Sequence, residues 1–157
     1  MTEEPLCEHF NRIFVKYFGQ ENDAVRMCND LVYVAHLWDD LYDQDKQRSK
    51  LAVNKAFTML WGIIPTNPFY QKHIRELGPI LMNAALKWQN ANEMEHSPNP
   101  NTRMTAYSIR SCFVDVFAYC LYLIGGYGYA LQAGPGFWSD LGSDIIEKYN
   151  EFEKEMT

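Results

Sequence analysis

The sequence predicts an all-α protein, a single compact bundle of five to seven helices around a central apolar helix at about 103–124. Apolar residues recur at the spacing of an amphipathic helix in several segments, and no strand-like alternation continues beyond five residues. The 157 residues fit one helical domain, 1–157, that can bury its own core. A hydrophobic content of 47%, with 15% aromatic residues, excludes a disordered chain.

The first two helices are predicted on either side of Gly19. A stripe of apolar residues predicts a helix over about 5–18, and Gly19 is typical of the position that follows a helix. Asn22 or Asp23 is expected to cap the second helix, which runs to about Asp43.

Prolines divide the middle of the chain. A third helix is predicted over about 49–63, because Pro65 and Pro68 interrupt the pattern that precedes them. The sequence allows a short helix over 68–77, and the dipeptide Gly78-Pro79 predicts a boundary before a fourth helix at about 80–95.

The fifth helix is the predicted centre of the bundle. Residues from about 103 to 124 are apolar nearly all round the helix, which is typical of a helix enclosed by others. The glycines at 125, 126 and 128 either end it or allow another backbone to approach closely. The tripeptide Gly134-Pro135-Gly136 then predicts a turn before the last helix, at about 137–155.

The segment from Val116 to Ser139 has no charged residue and approaches the length of a membrane span. Its tyrosines and internal glycines, and the absence of a closely flanking Lys or Arg, favour a buried core helix instead. Membrane association is therefore not expected.

Charge and cysteine content indicate the class of protein. A net charge of −6 argues against a nucleic-acid-binding protein. The four cysteines form no CxxC pair and lie in apolar surroundings, and the first residues include no apolar signal segment. We therefore expect a reduced, cytoplasmic protein.

The end of the second helix has an acidic cluster. Asp39, Asp40 and Asp43 share one face of the helix with His36. Carboxylates held together repel one another unless a cation lies between them, so the cluster favours a hard cation such as Mg²⁺. The alternative is the solvated face of an amphipathic helix.

The fifth helix contains polar residues that need an explanation. A charge within an apolar helix is costly unless it is paired or lies beside a solvated cavity. Ser108, Ser111 and Asp115 share one side of the helix, so this polar stripe predicts a polar cavity inside the bundle. The alternative is that Arg110 pairs with a surface Glu and that Asp115 accepts a hydrogen bond from a Tyr.

Two short motifs resemble those of class I isoprenoid (terpenoid) synthases. DDLYD at 39–43 resembles the family's DDxxD motif, and SDLGSDIIE at 139–147 resembles the motif (N/D)Dxx(S/T)xxxE, although Ser139 replaces its first residue. The resemblance implies Mg²⁺ ions that hold a substrate diphosphate. The implied metal ligands are Asp39, Asp40, Asp43, Ser143 and Glu147, the implied diphosphate-binding residue is Arg110, and the candidates for supporting contacts are His36, Asp115 and Asp140.

Two functions are consistent with these features. The favoured one is a small acidic helical binding protein without catalytic activity or cofactor. It would bind a protein partner, a second copy of the chain being one option, through an exposed aromatic patch rimmed by carboxylates. The alternative is a Mg²⁺-dependent lyase, transferase or hydrolase acting on a diphosphate, similar to isoprenoid synthases or to all-α nucleotide pyrophosphohydrolases.

Overall fold

The computed structural model describes residues 3–44, 46–144 and 148–157, and most of these residues are helical. These residues form eight α-helices and no strand, which confirms the all-α prediction. The helices are α1 (Glu3–Phe18), α2 (Asn22–Asp43), α3 (Lys50–Thr58), α4 (Pro68–Lys72), α5 (Ile74–Met94), α6 (Pro100–Arg110), α7 (Phe113–Asp144) and α8 (Tyr149–Met156).

The chain divides into two compact units, Met1–Ile74 and Arg75–Thr157. Unit 1 contains α1 to α4, and unit 2 contains most of α5 together with α6, α7 and α8. That the two units form one domain stays a prediction.

Helix α2 is the element against which unit 1 is built, because it contacts α1, α3 and α4. Its core-facing side buries apolar residues such as Met27, Cys28 and Leu31. Two side-chain hydrogen bonds fix its neighbours: Asn29 Nδ2 donates to Asn11 Oδ1 of α1 at 2.8 Å, and Asn67 Nδ2 donates to the carbonyl oxygen of Asp23 at 2.9 Å.

The predicted C-terminal ends of α1 and α2, at Phe18 and Asp43, are confirmed. The expected capping of α2 by Asn22 or Asp23 is wrong, because Glu21 occupies the N-cap position and its side chain accepts no capping hydrogen bond. Gly19 follows α1 with a φ of 63°, a left-handed conformation that favours glycine. Ser49 caps α3, since its hydroxyl accepts a hydrogen bond from the backbone N–H of Ala52 at 3.1 Å.

Helix α3 continues into a π-helical segment, Met59–Ile63. The wider turn is closed by the N–H of Ile64, which donates to the carbonyl oxygen of Met59 at 2.8 Å. Met59 and Ile64 are buried, whereas Trp61 between them is 81% exposed. The π-helical segment therefore presents a large aromatic side chain to solvent.

The predicted central helix at 103–124 is wrong, because the chain leaves the helical conformation at Ser111 (φ −85°, ψ 37°). Helix α6 ends at Arg110, and α7 begins again at Phe113. The new helix starts with two hydrogen bonds of the 3₁₀ type, between residues three apart. The N–H of Val114 donates to the Ser111 carbonyl, and the N–H of Asp115 donates to the Cys112 carbonyl. This break, with the short helices α4 and α8, makes the predicted count of five to seven helices too low for the described residues.

Helix α7 also differs from the buried core helix that was expected. It passes through Gly126, whose φ of 80° and ψ of −172° interrupt the helix in a conformation that only glycine adopts readily. By length and composition 113–142 resembles a membrane span, and only 28% of its most apolar 18-residue stretch is buried, whereas a core helix would be mostly buried. Tyr127 is 72% exposed and Leu131 is 61% exposed. The apolar character of α7 thus reflects an exposed surface as well as a core.

Two predicted breaks are absent. Pro79 lies inside α5 and Pro135 lies inside α7, so neither the Gly78-Pro79 boundary nor the turn at 134–136 forms. Each proline lacks the backbone donor that the helix would use at its position, and the chain nevertheless continues as a helix.

Unit 2 contains a small apolar cluster in which Phe152 of α8 packs with Ala91 and Ala106. An ion pair at its edge joins α6 to α8, since the Arg103 Nε donates to a Glu153 carboxylate oxygen at 3.0 Å. The Arg103 guanidinium lowers the pKa of the Glu153 carboxyl, so this contact is kept in its charged form at neutral pH.

Substitution of Phe14 by Ala tests the core of unit 1. Phe14 is fully buried and its ring stacks on Phe18 at 5.3 Å between centroids, so we expect the free energy of unfolding to fall by about 3–5 kcal/mol. The neighbouring Val15 is 53% exposed, and Val15→Ala should change it by no more than about 0.5 kcal/mol. Urea denaturation compares the two, and equal losses would contradict the described packing.

Candidate functional site

The three aspartates of the acidic cluster on α2 lie in different environments. Asp43 is exposed at the last position of the helix, Asp39 is half-buried, and Asp40 is buried with 7% exposure. The predicted solvated face therefore holds for Asp43 but not for Asp40. A buried carboxylate requires a compensating charge or hydrogen bond.

Arg48, in the connection between α2 and α3, supplies that charge. Its Nη1 lies 3.0 Å from Oδ2 of Asp40, and the two side chains are only 9% and 10% exposed. The exposed Lys46 places its Nζ 4.0 Å from Oδ1 of the same carboxylate. At Asp40, the position expected for a metal cation is thus taken by cationic side chains of the protein itself.

His36 lies one turn before Asp40 on α2 and faces α1. The centroid of its ring is 6.2 Å from that of Phe10, in an edge-to-face arrangement. Burial lowers the pKa of His36, and the opposing effect of the Asp40 carboxylate is smaller. His36 is therefore neutral at neutral pH, and the Asp40 carboxylate pairs with Arg48 instead.

The residues that the isoprenoid-synthase resemblance implies are divided between the two units. Asp39, Asp40 and Asp43 belong to unit 1, whereas the second motif belongs to unit 2. There, Asp140 is half-buried on α7, Ser143 is a residue of α7, and Glu147 lies outside the described residues. A metal site shared by the two motifs stays a prediction.

Arg110, the implied diphosphate-binding residue, ends α6. Its guanidinium carbon lies 4.9 Å from the centroid of the Phe152 ring, a cation–π contact that joins α6 to α8. Its role in binding a diphosphate stays a prediction.

Magnesium binding can be tested against the geometry of the donors. Within the described part of the chain, no three His, Cys, Asp or Glu side chains come together in a way that would hold a metal ion. Asp40 as arranged does not fit a Mg²⁺ ligand, because each of its oxygens faces a cationic side chain.

The predicted polar stripe does face a cavity. Ser108, Ser111 and Asp115 line one hollow of about 270 Å³ in unit 2, as predicted, but the hollow is open to solvent and is not enclosed inside the bundle. The remaining lining residues are Lys87, Tyr107, Ile109, Cys112 and Trp138. The cavity lies where α6 ends and α7 begins, so residues of both helices line it.

An ion pair forms one wall of this cavity. Nζ of Lys87 on α5 donates to Oδ2 of Asp115 on α7 at 2.7 Å. The donor is thus a lysine and not the tyrosine considered from the sequence. The hydrogen bond to Asp115 raises the pKa of Lys87, so the ammonium form is maintained at neutral pH.

Cys112 contributes no nucleophile to the cavity. Burial raises the pKa of its thiol to about 11, so the reactive thiolate is not formed at neutral pH.

Sequence reasoning did not identify Lys87 or Trp138 as site residues. Both occur in predicted helices among apolar neighbours, and neither belongs to a motif. The one available signal was Asp115, a carboxylate in an apolar helix whose cationic partner had to come from another helix.

Comparison with protein-family models, with curated proteins and with solved structures finds no match to this chain. The function is therefore inferred from the geometry of the chain alone.

Replacement of Asp40 by Ala tests the buried ion pair. It leaves the buried Arg48 guanidinium without its carboxylate, so we expect a loss of about 3–5 kcal/mol in the free energy of unfolding. The exposed Asp43 is the matched control, and Asp43→Ala should change it by no more than about 0.5 kcal/mol. Urea denaturation without added metal measures both, and tolerance of the Asp40 change would contradict the described pair.

The pKa of His36 predicts a pH dependence of stability. Because burial lowers this pKa from its ordinary value of about 6.5, the unfolded chain binds a proton more readily than the folded chain. The free energy of unfolding should therefore fall as the pH is lowered through about 6.5 towards the pKa of the folded protein. The His36→Gln variant should lose this contribution in urea titrations at several pH values, and parallel profiles for the two proteins would refute the assignment.

Proposed function

We propose that this protein is a non-catalytic binding protein that docks a protein partner through exposed aromatic residues of unit 1. The observation behind the proposal is the 81% exposure of Trp61. Large aromatic side chains dominate the binding energy of protein interfaces, and an indole in water is costly unless a partner covers it.

Other apolar side chains accompany Trp61 on the last part of α3 and on the π-helical segment. We call Phe57, Leu60, Trp61 and Ile63 the Trp61 surface. Their exposures are 50%, 43%, 81% and 47%, and the rings of Phe57 and Trp61 meet edge-to-face at 6.0 Å. The ring contact restricts both side chains before any partner arrives, which reduces the entropy lost on binding.

The stretch of chain that contains this surface differs in charge from the whole chain. Residues 46–74 include five Lys and Arg residues and no Asp or Glu, whereas the chain has a net charge of −6. Asp40 neutralises Arg48, and Lys55 lies over the ring of Tyr33, but Lys50 and Lys72 are exposed. The aromatic patch rimmed by carboxylates stays a prediction, and this stretch of the chain itself supplies only positive charges.

These features define the partner by its chemistry. It would offer an apolar groove that accepts an indole and a phenyl ring, with carboxylates at the rim opposite the lysines. Rim charges of this kind mainly raise the rate of association and make it sensitive to salt.

The magnesium–diphosphate alternative has less support from the arrangement of side chains. It rests on the resemblance of the two motifs, and Asp40, a central member of the first, is engaged by Arg48 and Lys46. A metal that recruited Asp40 would have to displace a buried ion pair.

A photo-crosslinking amino acid in place of Trp61 tests the proposal in cells that express the full chain. We expect one protein adduct from position 61, and we expect its yield to fall on Phe57→Ala substitution and at high salt. An adduct of twice the mass of the chain identifies a second copy as the partner.

The matched control places the same amino acid at Met82, which is 63% exposed in unit 2. Equal adducts from both positions would indicate nonspecific contact, and the absence of an adduct at position 61 would contradict the proposal. Trp61→Ala should leave the thermal midpoint nearly unchanged, because an exposed side chain contributes little to folding.

A further inference from the structure

We infer that the cavity of unit 2 is a binding site for a small zwitterion, an α-amino acid with an apolar side chain. The inference is independent of the Trp61 surface, since every lining residue belongs to unit 2. It rests on the pairing of opposite charges beside apolar walls in a hollow of limited size.

The ion pair in the wall retains unused hydrogen-bonding capacity. The 2.7 Å bond uses one of the three ammonium hydrogens of Lys87 and one of the two carboxylate oxygens of Asp115. Their side chains are 36% and 40% exposed, so a ligand can reach both without separating them. An acceptor on the ligand can bond to Lys87 while a donor bonds to Asp115.

The balance of charge favours a ligand that has both signs. A simple anion would be attracted by Lys87 and repelled by Asp115, and a simple cation would meet the reverse arrangement. A carboxylate and an ammonium held on one carbon match both groups at once. Both contacts are then charge-assisted hydrogen bonds, which are about twice as strong as neutral ones.

The rest of the lining indicates the size and polarity of the ligand. A volume of about 270 Å³ is below the roughly 300–1,000 Å³ usual for sites that take drug-sized molecules, so a smaller ligand is favoured. Trp138, Tyr107 and Ile109 provide apolar surface for a hydrocarbon side chain, and Ser108 and Ser111 provide hydroxyl groups.

Nuclear magnetic resonance of the tryptophan indole N–H groups tests the site directly. The chain has four tryptophans, and Trp138→Phe identifies the signal of the one that lines the cavity. Millimolar leucine or phenylalanine should shift the Trp138 signal in a saturable manner and leave that of Trp61 unchanged. No shift of the Trp138 signal by either amino acid would overturn the inference.

Ligand analogues test the role of the charges. N-acetyl-leucine lacks the ammonium group and leucine amide lacks the carboxylate, so each should bind about tenfold or more weakly than leucine. If both analogues bind as well as leucine, the cavity is only an apolar hollow and the zwitterion assignment is wrong.

Two variants complete the test. Asp115→Asn should weaken leucine binding about tenfold or more while the protein stays folded by circular dichroism. Should that variant unfold, Ser111→Leu fills the cavity without touching the ion pair and should also abolish the shift. Lys72→Met, at an exposed lysine of unit 1, is the matched control and should bind leucine like the native chain. Native binding by the Ser111→Leu protein would place the ligand elsewhere and contradict the inference.

Discussion

The burial of α2 is the constraint on which unit 1 depends. Three other helices pack against it, and its buried side reaches as far as Asp40, although Leu41, Tyr42 and Asp43 beyond are exposed. Asp40 lies on that buried side and cannot remain there as an isolated charge. Arg48, in the connection that follows α2, supplies the compensating positive charge. That connection must therefore bring Arg48 back to the side of α2. The path between α2 and α3 is thereby tied to one carboxylate.

The same contact alters the meaning of the DDLYD motif. A cluster of aspartates invites a metal only when the carboxylates lack other counterions, and sequence alone does not show where a cation eight residues later will lie. The side chain of Asp40 is oriented by Arg48, whereas the side chain of Asp43 is exposed to solvent. Spacing within a motif is therefore weaker evidence for chemistry than the environment of each member.

Much of the fold could be predicted because local signals and packing agree in unit 1. The apolar stripe of α1 and the glycine after it specify the same end of that helix, and the structure has it at Phe18. In unit 2 local signals and packing disagree. Helices α5 and α7 continue through Pro79 and Pro135. The apolar run before residue 124 is interrupted at Ser111, although no proline or glycine there predicts a break. The stripe of Ser108, Ser111 and Asp115 predicted a cavity, but Lys87 and Trp138 reach it from sequence-distant positions that periodicity cannot relate.

The interruption of α7 at Gly126 has a consequence for how its composition should be interpreted. At 1.5 Å per residue the two helical rods on either side of Gly126, 113–125 and 127–144, measure roughly 20 Å and 27 Å along the helix. Each is shorter than the roughly 30 Å hydrocarbon thickness of a lipid bilayer. Hydropathy summed along the chain counts both rods as one, although a single glycine torsion divides them. In the conformation described here, neither rod is long enough to cross that thickness alone.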